Sequence, residues 1–265
     1  MRVMSFEEEL AARPARVYAD FLLPHLDRGT HLLDVGCGDG ALSIGLAEVC
    51  GRVTAVDLDA DEFAAGAAYA ASTGLDRVSF VAGDAASLDF PGHTFEAALA
   101  HSVLESGVDP AAVLAEIRRV LKPGGWLGVA SVEYGGLVLA GPGSETLRRS
   151  NAVREALWQH SGAEPFLGRE LRRLVGEAGF VDVEATTKAF SYGTPDLVRA
   201  FANGRGAECA DDAYVAEAVA TGLATADELA GMSRAWSVWG ESPAAYAAFT
   251  WCRAVARRPF DESAC

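Results

Sequence analysis

The feature that most constrains this chain is a glycine-rich turn that joins a predicted strand to a predicted helix. The apolar run His31–Val35 predicts a short strand, residues 41–49 predict a helix, and Gly36, Gly38 and Gly40 lie between them. Because glycine has no Cβ, Gly36 and Gly38 let the backbone approach a ligand closely. Ligands of open α/β sheets bind at such turns, beyond the carboxyl ends of the strands. The turn therefore predicts an α/β sheet with a ligand at this edge.

The rest of the chain repeats the alternation of strands and helices. Apolar runs predict further strands at 52–56, 78–81, 95–100, 126–132, 181–187 and 246–255, and helical patterns fall at 5–26, 59–72, 110–121, 143–178 and 195–239. This alternation predicts an α/β fold with a mostly parallel sheet and helices on both faces. We expect the Lys-Pro-Gly-Gly segment 122–125 to separate a helix from the next strand. The glycines in 135–136 and 141–143 are predicted lid hinges.

Charge and cysteine content restrict the partners of the chain. It carries 37 acidic and 22 Lys or Arg residues, for a net charge of −15. Such a charge repels phosphate backbones and anionic membranes, so neither nucleic acid nor a membrane is an expected partner. The five cysteines are scattered, and no secretory signal or metal-ligand spacing is evident. We therefore expect a cytoplasmic protein with reduced thiols and no metal, either monomeric or homodimeric.

Three aspartates near the ends of the first three predicted strands indicate the kind of ligand. Asp34 precedes the glycine turn, Asp57 ends the second strand, and Asp84 follows the third. The turn also fits a dinucleotide-binding pattern, but the Asp34 carboxylate would repel a pyrophosphate and attract an ammonium group. Asp57 lies where a carboxylate holds ribose hydroxyls. The alternative, purely structural roles are a helix cap for Asp57 and a turn for Asp84. Together the three acids favour a cationic, phosphate-free nucleoside.

These motifs resemble the class I methyltransferases that use S-adenosylmethionine, and within them the ubiquinone/menaquinone-type, methyltransferase type 11-like branch. The resemblance rests on the segments 18–26, 33–40, 55–59, 82–85, 96–110 and 119–125. It implies a Rossmann-like, doubly wound sheet of seven strands, mostly parallel with an antiparallel last strand, plus helical lid segments. It also implies a single domain over 1–265, with its core at 27–133, 168–189 and 245–258 and a helical cap from 1–26, 134–167 and 190–244.

The resemblance also implies where S-adenosylmethionine binds. The residues that it assigns to the cofactor are Tyr18, Asp34, Gly36, Cys37, Gly38, Gly40, Asp57, Leu58, Asp84, Ala85, His101 and Ser102. Asp34 and the glycine turn would line the methionine part, Asp57 the ribose, and Leu58 the adenine. Asp84 and Ala85 would meet the adenine edge, with His101 and Ser102 beside the sulfonium. Cys37 is expected to be a small neighbour of the ligand, because nothing marks it as an activated thiolate.

Two residues are candidates for catalysis. His101 is the candidate general base, because it titrates near neutrality and lies, by resemblance, at the reactive end of the cofactor. Its alternative role is to order the strand tip or to contact the methionine. Glu133, at the end of the fifth predicted strand, is a candidate for touching the acceptor, with a solvated loop residue as the alternative. Many relatives have a histidine where this chain has Ser106, so no role for that histidine is carried over.

The aromatic residues of the predicted lid segments indicate the acceptor. Those segments contain Trp158, His160, Phe166, Phe190, Tyr192, Phe201, Trp236 and Trp239, which either line an apolar pocket or fill the core. The sequence thus predicts methylation of a small apolar or aromatic metabolite, in secondary metabolism and natural product biosynthesis. One alternative is a cofactor-binding protein of this fold that catalyses a cyclisation or only binds. The other is an NAD-dependent oxidoreductase.

Overall fold

The computed structural model describes residues 13–260, and in that part of the chain the strands form one seven-stranded sheet. The strand order across the sheet is β3-β2-β1-β4-β5-β7-β6. The strands are β1 (His31–Val35), β2 (Arg52–Asp57), β3 (Val78–Ala82), β4 (Phe95–His101), β5 (Leu121–Ala140), β6 (Val181–Tyr192) and β7 (Tyr246–Arg257).

Strand directions follow from the pairings. The pairs β1–β2, β1–β4, β2–β3 and β4–β5 are parallel. In contrast, Gly124 N donates to Arg258 O and Arg258 N donates to Gly125 O, so that the start of β5 lies beside the end of β7. This reversal makes β7 antiparallel to β5. The prediction of a mostly parallel, seven-stranded sheet with an antiparallel last strand is confirmed.

The helices occupy the connections between strands. They are α1 (Ala15–Tyr18), α2 (Ala41–Leu46), α3 (Ala64–Thr73), α4 (Pro110–Val120), α5 (Ser144–His160), α6 (Leu171–Glu177), α7 (Pro195–Glu208), α8 (Asp212–Ala220) and α9 (Ala226–Gly240). Asp109 begins α4: its carboxylate accepts from Ala111 N at 2.9 Å, and Pro110 takes the first helical position. No helix in residues 13–260 is long and apolar enough to cross a membrane.

The structure corrects the predicted bounds of several elements. β5 begins at Leu121 and ends at Ala140, so the Lys-Pro-Gly-Gly segment and Gly135–Gly136 are part of a strand. The segment keeps an irregular backbone within the strand: Gly124 has a φ of +76°, and the register of β5 on β4 shifts between Leu121 and Trp126. A Cβ on Gly136 would lie 2.4 Å from Thr250 Oγ1. Gly136 therefore permits close approach of two strands, and the hinge prediction there is wrong.

Two predicted helices also change. The helix predicted from Asp59 begins at Ala64, because the Asp59 carboxylate accepts from Asp61 N in the preceding turn instead of capping the helix. The leading helical pattern is reduced to the four residues of α1 and a 3-10 turn at Leu23–His25. The predicted residues 5–12 of that pattern lie outside the described part of the chain.

Two compact units divide the chain. The first contains residues up to Ser131, Gly168–Thr186 and residues from Cys252, and the second contains Val132–Leu167 and Thr187–Trp251. In the first unit, α1 and the 3-10 turn pack with β1 and β4 through buried side chains of Ala15, Ala19, Leu22, Leu32 and Leu99. The predicted apolar face of α4 is fully buried at Val113, Leu114, Ile117 and Val120.

The core of the second unit is built around two tryptophans of α9. Trp236 and Trp239 are both 0% exposed. Trp236 Nε1 donates to Ser150 Oγ at 3.0 Å, and Trp239 Nε1 donates to Ala140 O at 2.7 Å. Both indole N–H groups are thereby satisfied, as buried polar groups require. These two aromatic residues, predicted as possible acceptor contacts, fill the core instead.

The hydrogen bond from Trp236 to Ser150 yields a stability prediction. Ser150→Ala leaves a buried indole N–H without its acceptor, so the free energy of unfolding is expected to fall by about 1–3 kcal/mol. The control is Ser237→Ala on α9, where an exposed hydroxyl donates to Ser233 O within the same helix. Equilibrium urea unfolding of the two variants measures the difference, and equal midpoints would contradict it.

Candidate active site

The glycine turn lies at the carboxyl end of β1 and is tied to the end of β2. Gly36 N and Cys37 N donate to Val56 O at 2.7 and 3.0 Å, and Gly38 N donates to Asp57 Oδ2 at 2.8 Å. Asp57 thus orders the turn and caps no helix, since α3 has no side-chain cap. These bonds fix the turn's backbone in front of the sheet edge.

The three glycines of the turn serve different purposes. A Cβ on Gly36 would lie 2.4 Å from Val103 Cγ2, and one on Gly40 would lie 2.4 Å from Phe80 Cε1. Both are needed for internal packing, which is a correction to the ligand-approach interpretation of Gly36. Gly38 has a φ of +51° and no heavy atom within 4 Å of its Cβ position. Open space at Gly38 leaves this stretch of backbone accessible to a ligand.

Asp34 is a deeply buried acidic residue at this edge. It is 2% exposed, and Ser43 Oγ donates to its Oδ2 at 2.6 Å. Burial raises the pKa of Asp34 to about 6, against the lowering effects of the Ser43 hydrogen bond and the nearby Arg13 charge. A buried carboxylate of this kind gains most from a cationic ligand, since one hydroxyl replaces little of its lost hydration.

The residues predicted to hold the nucleoside lie at the ends of β2 and β3. Leu58 is 76% exposed, which is unusual for a large apolar side chain beside an ordered turn. Asp84 is exposed, and its Oδ1 accepts from Ala86 N at 2.8 Å, while Ala85 is half-buried. Asp84 therefore has the structural role of a turn residue through Oδ1. Its other carboxylate oxygen, Oδ2, is the candidate for contact with a ligand.

His101 ends β4 and is 6% exposed. Arg13 Nη2 lies 3.4 Å from His101 Nδ1, and the Tyr18 ring contacts the imidazole edge-on at 5.7 Å. Because a guanidinium only donates, Nδ1 is the acceptor and Nε2 carries the proton of the neutral ring. Burial, reinforced by the Arg13 charge, lowers the pKa of His101 to about 3. The imidazole is therefore neutral at physiological pH.

Beside His101 lies a polar network that the sequence did not signal. Ser102, at φ +65°, donates from Oγ to Glu105 Oε1 at 3.0 Å, and Ser131 Oγ donates to Glu105 Oε2 at 2.7 Å. Glu105 is 2% exposed. The sequence shows only an acid, Glu105, directly after the apolar pair Val103-Leu104, and this pattern does not by itself indicate a hydrogen-bond network. The network fixes Ser102 in a conformation that costs a non-glycine residue energy.

Cys37 is a neighbour of the carboxylates and has no activated thiolate. Burial, together with the charges of Asp34, Asp57 and Asp39, raises the pKa of the Cys37 thiol far above its usual range. Across residues 13–260 no cluster of three or more His, Cys, Asp or Glu side chains has the arrangement of a metal site.

Glu133 belongs to the second unit. It is 7% exposed, and its Oε1 accepts from Gly135 N at 3.0 Å, so it is not a solvated loop residue. Its predicted contact with an acceptor stays a prediction.

The second unit also contains a cavity of about 440 Å³. Aromatic and arginine side chains dominate its wall, which is formed by Val132, Tyr134, Arg154, Tyr192, Ala200, Phe201, Gly204, Arg205, Phe249 and Trp251. Tyr192 and Phe201 were predicted from the sequence. The sequence pattern does not single out Phe249 and Trp251, because they lie in β7 and not in a lid helix, nor the two arginines, because an aromatic pattern does not include them.

The residues at the glycine turn fit S-adenosylmethionine. A buried carboxylate suits its amino group, the open backbone at Gly38 leaves room for it, and the exposed Leu58 offers an apolar face for a base. The second carboxylate oxygen of Asp57 accepts from Asp59 N over a longer distance, 3.4 Å, and could also accept from a ribose hydroxyl. No basic group of the turn itself favours a pyrophosphate.

Comparison with known proteins identifies the family. The model of the methyltransferase domain family matches residues 33–129. Demethylmenaquinone methyltransferase of Geobacillus kaustophilus is 30% identical over 184 residues, which cover 64% of this chain and 77% of that protein. The chain therefore belongs to the class I, S-adenosylmethionine-dependent methyltransferases. Within them it carries a methyltransferase type 11-like domain, and its cofactor is S-adenosylmethionine.

Two further similarities extend beyond that domain. An uncharacterized 37.1 kDa protein in transposon Tn4556 of Streptomyces fradiae is 32% identical over 67% of this chain, and the chain spans 52% of its length. The crystal structure of the cyclase SpnF superposes with a TM-score of 0.56 at 26% identity, covering 94% of this chain and 84% of that one. Family membership argues against the oxidoreductase alternative.

The raised pKa of Asp34 yields a prediction with opposite effects on stability and on binding. The pKa of Asp34 in the folded protein is about 6, above its ordinary value of 3.8. The contribution of Asp34 to the free energy of unfolding is therefore fully present below pH 3.8 and is lost as pH rises through 6. Asp34→Asn should raise the free energy of unfolding at pH 8 by about 2–3 kcal/mol, with a smaller gain at pH 5. The same variant should bind S-adenosylhomocysteine far more weakly.

Urea unfolding and isothermal titration calorimetry, each at pH 5 and pH 8, measure the two effects. Asp76→Asn, at an exposed turn of the first unit, makes the same change in charge and should alter neither quantity. Unchanged affinity in Asp34→Asn would contradict the role assigned to the carboxylate.

Proposed function

We propose that this protein transfers the methyl group of S-adenosylmethionine to a small organic molecule with an aromatic or apolar body, as in natural product biosynthesis. The observation that supports this acceptor is the cavity of the second unit, whose wall includes Tyr192, Phe201, Phe249 and Trp251. A volume of about 440 Å³ suits a small organic ligand and excludes a macromolecule. We assign the acceptor to this cavity.

The residues of the first unit have the chemistry that the cofactor needs. When bound, S-adenosylmethionine supplies a methyl group that its positively charged sulfur has already activated. Ionised Asp34 holds the amino group, and Asp57 holds the ribose while it keeps Gly38 in place. Asp34 and His101, which would lie beside the methionine part of the cofactor, are both buried. The contribution of the protein is then positioning and exclusion of water, the main terms for an in-line displacement.

For His101 we propose a positioning role as a neutral donor. An imidazolium beside a sulfonium would be repelled, and a pKa of about 3 removes that charge. With Nδ1 accepting from Arg13, the neutral ring carries its proton on Nε2, and the role proposed for this N–H is to position a group at the reactive end of the cofactor. A general base would instead require Nε2 to be unprotonated, which conflicts with the hydrogen bond from Arg13.

Substitution of His101 separates these two roles. His101→Ala should lower kcat about a hundredfold, with a much smaller effect on affinity for S-adenosylhomocysteine. His101→Gln keeps an N–H donor but no basic nitrogen, and should recover part of the loss. Steady-state kinetics and calorimetry measure both. If His101→Gln is as inactive as His101→Ala and the wild-type rate follows a single titration, the general-base role is supported instead. If His101→Ala is fully active, His101 has neither role.

A second candidate function is a cofactor-assisted cyclisation without methyl transfer. The similarity to the cyclase SpnF over 94% of this chain supports it. Cofactor affinity and methyl transfer use the same residues, so binding alone does not distinguish the two functions.

Mass spectrometry distinguishes them. The protein is incubated with S-adenosylmethionine deuterated in its methyl group and with a panel of aromatic, polyketide and terpenoid compounds. We expect one product heavier by a single labelled methyl group, and no such product with Asp34→Asn. A product with unchanged mass but a new ring system would favour the cyclase, and conversion of none of the compounds would contradict the proposed acceptor class.

A further inference from the structure

The cavity of the second unit carries a charge that the acidic composition of the chain does not suggest. Of the described residues that form its wall, Arg154 and Arg205 are the charged ones, and no carboxylate is among them. Arg154 lies on α5 and Arg205 on α7. The chain as a whole has a net charge of −15. A wall with two guanidinium groups is therefore a local feature and not a reflection of average composition.

The two arginines share one hydrogen-bonded carboxylate. Arg154 Nε donates to Glu208 Oε1 at 2.8 Å, and Arg205 Nη1 donates to Glu208 Oε2 at 3.0 Å. Arg205 Nη2 also donates to Asn151 Oδ1 at 2.9 Å, and Arg154 Nη1 donates to the hydroxyl of Tyr134. The buried Nε of Arg205 has no hydrogen-bond partner. Two positive charges thus line the cavity and share one carboxylate, Glu208, which does not line it.

Aromatic rings hold both guanidinium groups in place. Arg154 Cζ lies 4.5 Å from the Trp158 ring centroid and 5.0 Å from that of Tyr134. Arg205 Cζ lies 5.5 Å from the Phe201 centroid and 5.7 Å from that of Phe249. Guanidinium groups packed on rings in this way are ordered and weakly hydrated, which favours binding of a planar anion.

The electrostatics of Arg205 leave room for an anion. Burial and the like charge of Arg154 lower the pKa of Arg205, so its charged form is poorly compensated, whereas Tyr134 and Glu208 raise the pKa of Arg154 against its burial. The other nearby carboxylate, Glu155, is half-buried, has a raised pKa and does not line the cavity. An anionic group between the two arginines would supply the missing compensation and would form charge-assisted hydrogen bonds.

We propose that the acceptor is a small organic anion, with an aromatic or apolar body against Tyr192, Phe249 and Trp251 and a carboxylate at Arg154 and Arg205. This inference rests on the proposed function, because it names the chemical class of the molecule bound in the same cavity. The aromatic wall binds the body of the acceptor, and the arginine pair sets its orientation and rejects uncharged analogues.

An isosteric pair of probes tests the charge directly. Isothermal titration calorimetry compares 2-naphthoate with 2-naphthamide, which have the same rings and differ in the charge of one small group. We expect naphthoate to bind more tightly, and Arg154→Gln and Arg205→Gln each to weaken it about tenfold with little effect on naphthamide. Arg149→Gln is the matched control, since Arg149 lies on α5, pairs with Glu228 at the surface and does not line the cavity.

A variant that is expected to bind naphthoate more tightly distinguishes an effect of charge from a loss of folding. Glu208→Gln removes the carboxylate that offsets both arginines, so naphthoate should bind several-fold more tightly. Weaker or unchanged naphthoate binding in Glu208→Gln, equal affinity of the wild type for the two probes, or no heat from either probe would each overturn the proposal. If Arg205→Gln does not fold, Arg154→Gln and Glu208→Gln still decide it.

A parallel titration with S-adenosylhomocysteine separates the two proposals. If the wild-type protein binds naphthoate but not S-adenosylhomocysteine, the methyltransferase function is contradicted while the anion site is supported. Intact binding of S-adenosylhomocysteine together with equal affinity for naphthoate and naphthamide overturns only the charge of the acceptor.

Discussion

A buried carboxylate with too few partners is the constraint on which the first unit depends. Asp34 lies near the end of β1 with Ser43 Oγ as its side-chain hydrogen-bond donor, and burial raises its pKa to about 6. At neutral pH the folded protein therefore retains a charge at some cost in stability. In the function proposed above, a cationic ligand would recover that cost. The bond from Gly38 N to Asp57 Oδ2 fixes the adjoining backbone.

How far the sequence predicts the structure depends on the range of the interactions involved. The order of strands, the glycine turn and the buried face of α4 follow from local patterns, because apolar periodicity and glycine spacing act over a few residues. The length of β5 does not, since hydrogen bonds to Arg258, far along the chain, join the irregular backbone at Gly124 and Gly125 to the strand. The need for glycine at position 36 is also non-local. A Cβ at Gly36 would clash with Val103, 67 positions later in the chain.

The candidate site divides along the same line. Asp34 and Asp57 were found because their positions at strand ends have a known chemical meaning. Glu105, Arg154 and Arg205 were not, because their significance arises only when distant segments bring them to one hydroxyl pair or to one cavity wall. Trp236 and Trp239 show the converse, since aromatic composition alone does not separate a core from a binding surface.

The acidic surroundings of the glycine turn have a chemical consequence for Cys37. A thiolate is the nucleophilic form of cysteine, and an activated sulfonium alkylates such nucleophiles. Burial, reinforced by the charges of Asp34, Asp57 and Asp39, keeps this sulfur protonated and so suppresses its nucleophilicity. In the proposed function, the buried and acidic surroundings of this thiol would therefore also protect the protein from self-alkylation by the methyl donor.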